Sequence, residues 1–435
     1  MSGSLAGWLA VEAWPTLSVL RRTPLEVERI ARGRAAATLR AAAATPFGRE
    51  RLQDAGLGVH AGSPALRDPF TAMRDIPPVS KAELRAAGDA ALQGGRRDPS
   101  WHSTRSSGST GEPFRVHYDG RAWAILKYLV KARARRACGV GLLDRLAVLD
   151  AMPPGAPEPS IGARAGRVRT VSVLQPADQV AQQLSAFAPD AIYGLPSALL
   201  EVSAALSQDR RSLRPRVVFT SGEILPSPTR ETLVGAFGCP VLDVYGTSET
   251  KEIAWECCLG IPHLNADVVH LEVLNPAGVP VASGEEGDLV ATLLVNRAMP
   301  LLRYRIGDRG TLRKGPCACG FPLPCMGVVA GRETEYLEIG GRRISPYLLT
   351  CALEPVDGMR RYRVAQRPGD RLRVEALVDP CARRTAAAGI RARIAAAVGP
   401  TVRVDVELVD DFPAGAGRKF RVVEPLHREA ASQPR

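Results

Sequence analysis

Apolar positions in the first hundred residues recur at helical spacing, most plainly over Val27–Ala44, and Ile76-Pro77-Pro78 interrupts them. This stretch is predicted to be mostly helical. Trp101–Asp119 is a polar run rich in Gly, Ser and Thr that leads into a predicted helix over Ala122–Ala137. From there the period alternates. Short apolar runs at Leu146–Asp150, Val168–Leu174, Ala191–Tyr193, Arg216–Thr220 and Val241–Tyr245 read as strands. Helical patterns cover Ala177–Phe187 and begin again at Pro196 and near Pro226, and a Pro/Gly-rich loop fills Met152–Gly166. Strands alternating with helices of this length mean βαβ units and a parallel sheet, so the fold class is α/β.

Three of these strands end in a Gly beside polar residues: Tyr193-Gly194, Ser221-Gly222-Glu223 and Tyr245-Gly246-Thr247-Ser248-Glu249. The carboxyl ends of the strands in an open parallel sheet form the ligand crevice. Gly there permits a close approach of backbone to ligand. Three in step suggest a planar ligand lying across the edge.

After about residue 265 the pattern turns strand-rich, with Val268–Val273, Gly287–Leu294 and Arg303–Ile306. A boundary is expected near Gly331-Arg332. Beyond it an α+β segment leads to a Gly-rich loop, Ala414–Gly417, just before Arg418-Lys419, and the residues from about His427 read as a disordered tail.

Composition narrows the function classes. No run of 18 uncharged apolar residues occurs, so no transmembrane helix is expected. Glu12 and Pro15 interrupt Leu5–Leu20, which reads as helix rather than signal peptide. The formal net charge is +12, but the basic residues are scattered and aromatics make up only 5%, too few for the stacking platforms of single-strand readers. A solvated basic surface is expected, with polyanionic small molecules rather than nucleic acid or membrane as partners. Nine cysteines are too few for a disulfide scaffold and odd in number, so reduced thiols and a cytoplasmic location are expected.

Ser106-Ser107-Gly108-Ser109-Thr110-Gly111 offers hydroxyls and backbone N–H groups to phosphate oxygens, although it is not the P-loop pattern. Asp308 in Tyr304-Arg305-Ile306-Gly307-Asp308 suits a sugar diol, and Glu249 suits Mg²⁺. Taken in order with Pro77-Pro78-Val79-Ser80-Lys81-Ala82-Glu83-Leu84-Arg85, Gly331-Arg332 and the terminal Lys419, these pieces resemble the adenylate-forming superfamily of acyl-CoA ligases. The nearest likeness within it is to the phenylacetate–CoA ligase family. The resemblance runs from Pro77 to Lys419.

That resemblance implies a large N-terminal adenylation domain, 1–331, with parallel sheets flanked by helices, and a small mobile α+β domain, 332–435. It implies that Ser106–Gly111 hold the outer phosphates of ATP and that Ser221, Gly222 and Glu223 contact adenine. Tyr245 then stacks near the adenine beside Gly246, Thr247 bonds the α-phosphate, and Glu249 holds Mg²⁺. Asp308 takes the ribose, Arg332 reaches ribose or phosphate, and Lys419 is the catalytic cation. Tyr193 and Gly194 line the acyl pocket. The implied reaction is ATP-dependent activation of a small, aromatic carboxylic acid to its acyl-adenylate, then transfer to coenzyme A, by a monomer or homodimer. Two alternatives stay open: transfer to an amine or carrier-protein thiol, and a non-catalytic nucleotide-binding homologue. The second is motivated by Glu112, Thr334 and Arg418, which depart from the family pattern.

The cysteines carry a separate signal. Cys257, His263, Cys317 and Cys319 make a Cys₃His tetrahedral set for structural Zn²⁺, a pattern some members of the same family share. Cys258 or Cys325 is an alternative for one ligand, and buried reduced thiols are the simpler reading.

Overall fold

Thr23 and Ser80 each start a helix by the same reciprocal device. Their hydroxyls accept from the N–H of Glu26 and Glu83, whose carboxylates reach back to the cap's own N–H. Thr23 opens the helix Pro24–Ala43 and Ser80 the helix Lys81–Ala87. The longer helix buries Ala31, Ala35, Leu39 and Ala42 along one face, where they pack with Leu52, Met73, Ile76, Leu294 and Leu302.

A computed structural model describes residues 12–106, 114–152, 166–208, 212–330, 337–339, 342–344, 346–353, 356–410 and 423–424. They divide between two compact units. One draws on Met1–Thr104, Arg115–Leu142 and Leu242–Arg332, the other on Arg105–Phe114, Leu143–Val241 and Glu333–Arg435.

The first unit contains a four-stranded antiparallel sheet in chain order: Val269–Leu274, Gly287–Leu293, Tyr304–Leu312 and Met326–Ala330. The extended segment around Val79 adds to this sheet through one parallel bridge to Tyr304. Val79 N–H donates to the Arg303 carbonyl at 2.8 Å and the Arg305 N–H donates to the Val79 carbonyl at 2.9 Å. Arg303 fastens the same segment from below. Its guanidinium forms a bidentate pair with buried Glu272, both contacts 3.0 Å, and donates to the carbonyls of Arg74 and Ile76. The Lys81–Ala87 helix is therefore pinned to the Tyr304 strand by backbone and by a desolvated ion pair.

A second buried network holds the N-terminal helices. Asp267 is fully buried and accepts from Arg34 at 2.9 Å and from Arg133 at 2.7 and 2.9 Å. The two guanidiniums also donate to the carbonyls of Glu12 and Thr16.

In the second unit, parallel strands run in the order Val168–Ser172, Leu146–Asp150, Ala191–Gly194, Val217–Ser221. Leu146 pairs with both Val168 and Ala191, as expected for apolar runs buried on two faces. The helices Ala177–Phe187, Pro196–Gln208 and Ser227–Phe237 alternate with these strands. The same unit includes a mixed sheet ordered Arg403–Leu408, Arg371–Val378, Met359–Arg367, Val423–Glu424, with the helix Arg383–Val398.

The predicted alternation of strand and helix from 146 to 245 is present. The Trp101–Asp119 stretch is not simply a polar lead-in, because His102–Ser106 and Phe114–Tyr118 form a two-stranded sheet. Lys251–Glu256 and Met326–Ala330 are further strands that the apolar pattern did not mark. No helix among the described residues is long and apolar enough to cross a membrane.

Candidate functional site

In the first unit the strand Val241–Thr247 runs antiparallel to Lys251–Glu256, and a tight turn joins them. Gly246 makes that turn possible: a Cβ there would sit 2.3 Å from the Lys251 carbonyl oxygen. Lys251 itself takes a left-handed conformation, φ 62°, which a lysine adopts only under constraint. The Thr247 hydroxyl accepts from the N–H groups of Glu249 and Thr250 at 3.2 and 3.1 Å, closing the turn around its own side chain.

Tyr118 and Thr104 hold the turn from outside, and Lys251 holds it from within. The Tyr118 hydroxyl donates to the carbonyls of Ser248 and Glu249 at 3.0 and 2.7 Å. Burial pushes this phenol above its usual range, which keeps it a donor. The Lys251 ammonium donates to the Ser248 carbonyl at 2.7 Å and to the Thr104 hydroxyl at 3.1 Å, and lies 5.2 Å from the Tyr118 ring centroid.

The Glu249 carboxylate is buried. Its Oε1 accepts from the Lys81 ammonium at 2.8 Å and from the Tyr304 hydroxyl at 3.0 Å. With the hydroxyls of Thr247 and Thr250 the turn offers oxygen ligands only, the donor set that a hard divalent cation prefers. On the neighbouring sheet, Gly307 bends at φ 92° and Asp308 follows. The Asp308 Oδ2 accepts from the Tyr245 hydroxyl at 2.9 Å, so the Tyr245 strand, the Glu249 turn and the Tyr304–Leu312 strand meet within one unit.

The zinc candidates also meet in this unit. Ligand atoms of Cys257, His263, Cys317 and Cys319 all lie within 4.8 Å of one another. Cys257 and Cys317 sulfurs are 3.9 Å apart, close to the ~3.8 Å edge of a tetrahedron with Zn–S bonds of about 2.3 Å. His263 Nε2 is 3.2 Å from the Cys319 sulfur, while its Nδ1 lies 3.2 Å from the Leu323 carbonyl. That carbonyl fixes the tautomer with Nε2 free of hydrogen, as in ligating histidines. Burial holds the imidazole below its usual pKa, in the neutral form a metal requires. The two alternatives fall away on geometry: Cys258 is exposed, and Cys325 sits 3.9 Å from Nδ1, on the other side of the ring.

The second unit carries the remaining described candidates. Tyr193 and Gly194 end the strand Ala191–Gly194, where a Cβ on Gly194 would meet the Leu149 side chain at 2.9 Å. Ser221 ends the next strand and Gly222 turns at φ 85°. The Glu223 carboxylate accepts from the Ser197 N–H at 3.0 Å and hydroxyl at 2.9 Å, at the start of the helix Pro196–Gln208. Ser106 ends the strand His102–Ser106. Ser107, Gly108, Ser109, Thr110, Gly111, Arg332 and Lys419 lie outside the described residues.

No family model matches the chain. It is 31% identical over 258 residues to phenylacetate-coenzyme A ligase of Escherichia coli (strain K12), covering 55% of this chain and 57% of that one. A phenylacetate-coenzyme A ligase of Thermus thermophilus is 27% identical over 328 residues, covering 71% and 70%. The chain thus spans little more than half the length of the Escherichia coli relative. Among solved structures, 2-hydroxyisobutyryl-CoA ligase in complex with 2-HIB-AMP and CoA in the thioesterification state superposes with a TM-score of 0.64 at 21% identity, over 93% of this chain and 91% of that one. An open conformation of the same ligase gives 0.59 at 22% identity, over 90% of each chain. The fold is that of the adenylate-forming CoA ligases. In sequence the chain is similar to phenylacetate-coenzyme A ligases, and the mixed helix-and-sheet architecture expected from the sequence is the observed one.

Sequence reasoning did not single out Lys81, Tyr118, Lys251 or Tyr304 as parts of the site. Only the fold brings Lys81 to Glu249. The signal within reach was Tyr304 itself, four residues before Asp308 in the same motif.

Proposed function

We propose that this protein activates a small carboxylic acid with ATP and passes the acyl group to coenzyme A. The observation that carries the reading is the Tyr245–Asp308 hydrogen bond beside the Thr247–Glu249 turn, on a fold shared with adenylate-forming CoA ligases. Asp308 would accept both ribose hydroxyls, its carboxylate oriented by the Tyr245 phenol. Thr247 would steady the α-phosphate, and Ser106–Gly111 the outer phosphates. Ser221, Gly222 and Glu223 would face adenine, with the backbone making the contact because the Glu223 carboxylate is spent on Ser197. Arg332 and Lys419 would supply fixed positive charge to the transferring phosphoryl group. The division into 1–331 and 332–435 belongs to the same proposal, as do an aromatic acid and Tyr193 and Gly194 as its contacts.

Two metals fit residues present here. Glu249 would hold Mg²⁺, whose charge offsets that of the leaving pyrophosphate. Cys257, His263, Cys317 and Cys319 would hold Zn²⁺ in a closed set that tethers the Lys251–Glu256 strand to the 317–319 loop, a structural rather than catalytic duty.

The test is acid-dependent exchange of labelled pyrophosphate into ATP across a panel of aryl and aliphatic acids, followed by mass spectrometry with and without coenzyme A. Acyl-CoA formation is the expected result, and Lys419→Ala should slow exchange about 10²–10³-fold. Acyl transfer only to an amine or a carrier thiol would replace the second half of the proposal. AMP binding with no exchange for any acid would replace all of it.

A further inference from the structure

The Pro77–Arg85 segment belongs to the family likeness and lies apart in sequence from the residues assigned to nucleotide and acid. Its placement is tightly determined. Val79 bridges to Tyr304, the Arg303 guanidinium grips the carbonyls of Arg74 and Ile76, and the Ser80–Glu83 box starts the helix with Lys81 at its first position. The result is that the Lys81 ammonium and the Tyr304 hydroxyl approach one carboxylate oxygen, Glu249 Oε1, at 2.8 and 3.0 Å. Two donors on one oxygen restrict the rotation of the Glu249 side chain.

We propose that Lys81 is a positioning residue for the divalent cation. With Tyr304 it anchors Oε1 of Glu249, so that the carboxylate meets Mg²⁺ in a fixed place rather than after a rotameric search. This rests on the reading of Glu249 as the magnesium ligand. Hydrogen-bonding partners of metal ligands typically govern affinity by about 10–100-fold. A simple competitor for the carboxylate would act in the opposite sense, since its removal would tighten the metal. The anchoring arrangement is favoured here because two donors of different chemistry share the same oxygen, and the lysine is held by a helix cap rather than by a flexible loop.

The experiment measures Mn²⁺ affinity by electron paramagnetic resonance on the full chain, in the presence of α,β-methylene-ATP, and the half-saturating Mg²⁺ concentration in pyrophosphate exchange. Lys81→Met should weaken Mn²⁺ about 10–100-fold and raise the Mg²⁺ requirement in parallel, with kcat at saturating Mg²⁺ changed far less. Lys81→Arg should recover most of the loss. Tyr304→Phe, which removes only the hydroxyl, should move affinity in the same direction and covers the case in which the lysine variant does not fold. Unchanged or tighter Mn²⁺ binding in folded Lys81→Met overturns the proposal. Glu249→Gln separates the two levels: if it leaves Mn²⁺ binding intact, the assignment of Glu249 to the metal is what has failed.

Discussion

Replacing Gly246 by Ala is the most direct trial of the turn on which the site is built. The added methyl would lie 2.3 Å from the Lys251 carbonyl oxygen, 2.9 Å from the carbonyl carbon and 3.0 Å from the Glu252 Cα. All three are backbone atoms of the paired strand, so no rotamer change relieves the clash and the Tyr245–Lys251 hairpin must open. Overpacking costs about 1–3 kcal/mol where side chains can yield, and a backbone collision belongs at or above the top of that range. The functional loss should exceed the loss of stability, because the strands can separate only by moving Thr247 and Glu249. A displacement near 1 Å at reacting groups is worth ~10²-fold in rate. Urea unfolding should therefore show a loss of about 3 kcal/mol, and pyrophosphate exchange should fall at least 10²-fold at temperatures where the variant is still folded. Gly33, exposed in the middle of the Pro24–Ala43 helix with nothing within 4 Å of its would-be Cβ, is the control. Gly33→Ala should stabilise by about 1 kcal/mol and leave exchange alone. A Gly246→Ala protein as stable and as active as its parent would refute the argument.

Other consequences can be measured separately. Asp267→Asn leaves the buried guanidiniums of Arg34 and Arg133 without their shared counter-charge and should cost about 3–5 kcal/mol in chemical denaturation. Removal of zinc with a strong chelator, or Cys317→Ser, should lower the melting temperature by several degrees, and elemental analysis of the untreated protein should give one zinc per chain. Burial, with Arg74 and Arg303 nearby, depresses the His270 pKa to about 4 from 6.5. The unfolded chain then binds a proton that the folded one refuses. Stability is full above pH 6.5 and falls by ~3 kcal/mol as the pH drops toward 4, a slope that His270→Phe should reduce while preserving the stack on Phe70.

How far the sequence could be read follows from where its information is local. Leu146–Asp150, Ala191–Gly194 and Val217–Ser221 are short apolar runs, the last two closed by glycine, and a buried strand needs little else to declare itself. His102–Ser106 is built of His, Ser, Thr and Arg, and its place in a sheet comes from its partner strand rather than from its own pattern. Lys251–Glu256 hides for another reason. Glu252 and Glu256 are buried, which is tolerable because Lys131 pairs with the first and the Asp243 N–H donates to the second. The Cys/His cluster was legible because cysteine and histidine in that number have few other uses. Choosing among five cysteines required the orientation of one imidazole, which spacing does not encode. Lys81 carries no signal of its own within its motif, since its partner Glu249 lies far along the chain and a lysine at a helix start is ordinary.

The Asp267 network has a practical corollary for anyone preparing the protein. Arg34 and Arg133 also donate to main-chain oxygens of Glu12 and Thr16. A clone that begins after Thr16, a tempting choice for crystallisation, would leave those two cations with unmet protons in a dry interior. Trimming is better confined to residues ahead of Glu12, and a purification handle is better placed there than grafted onto the Trp14–Ser18 helix.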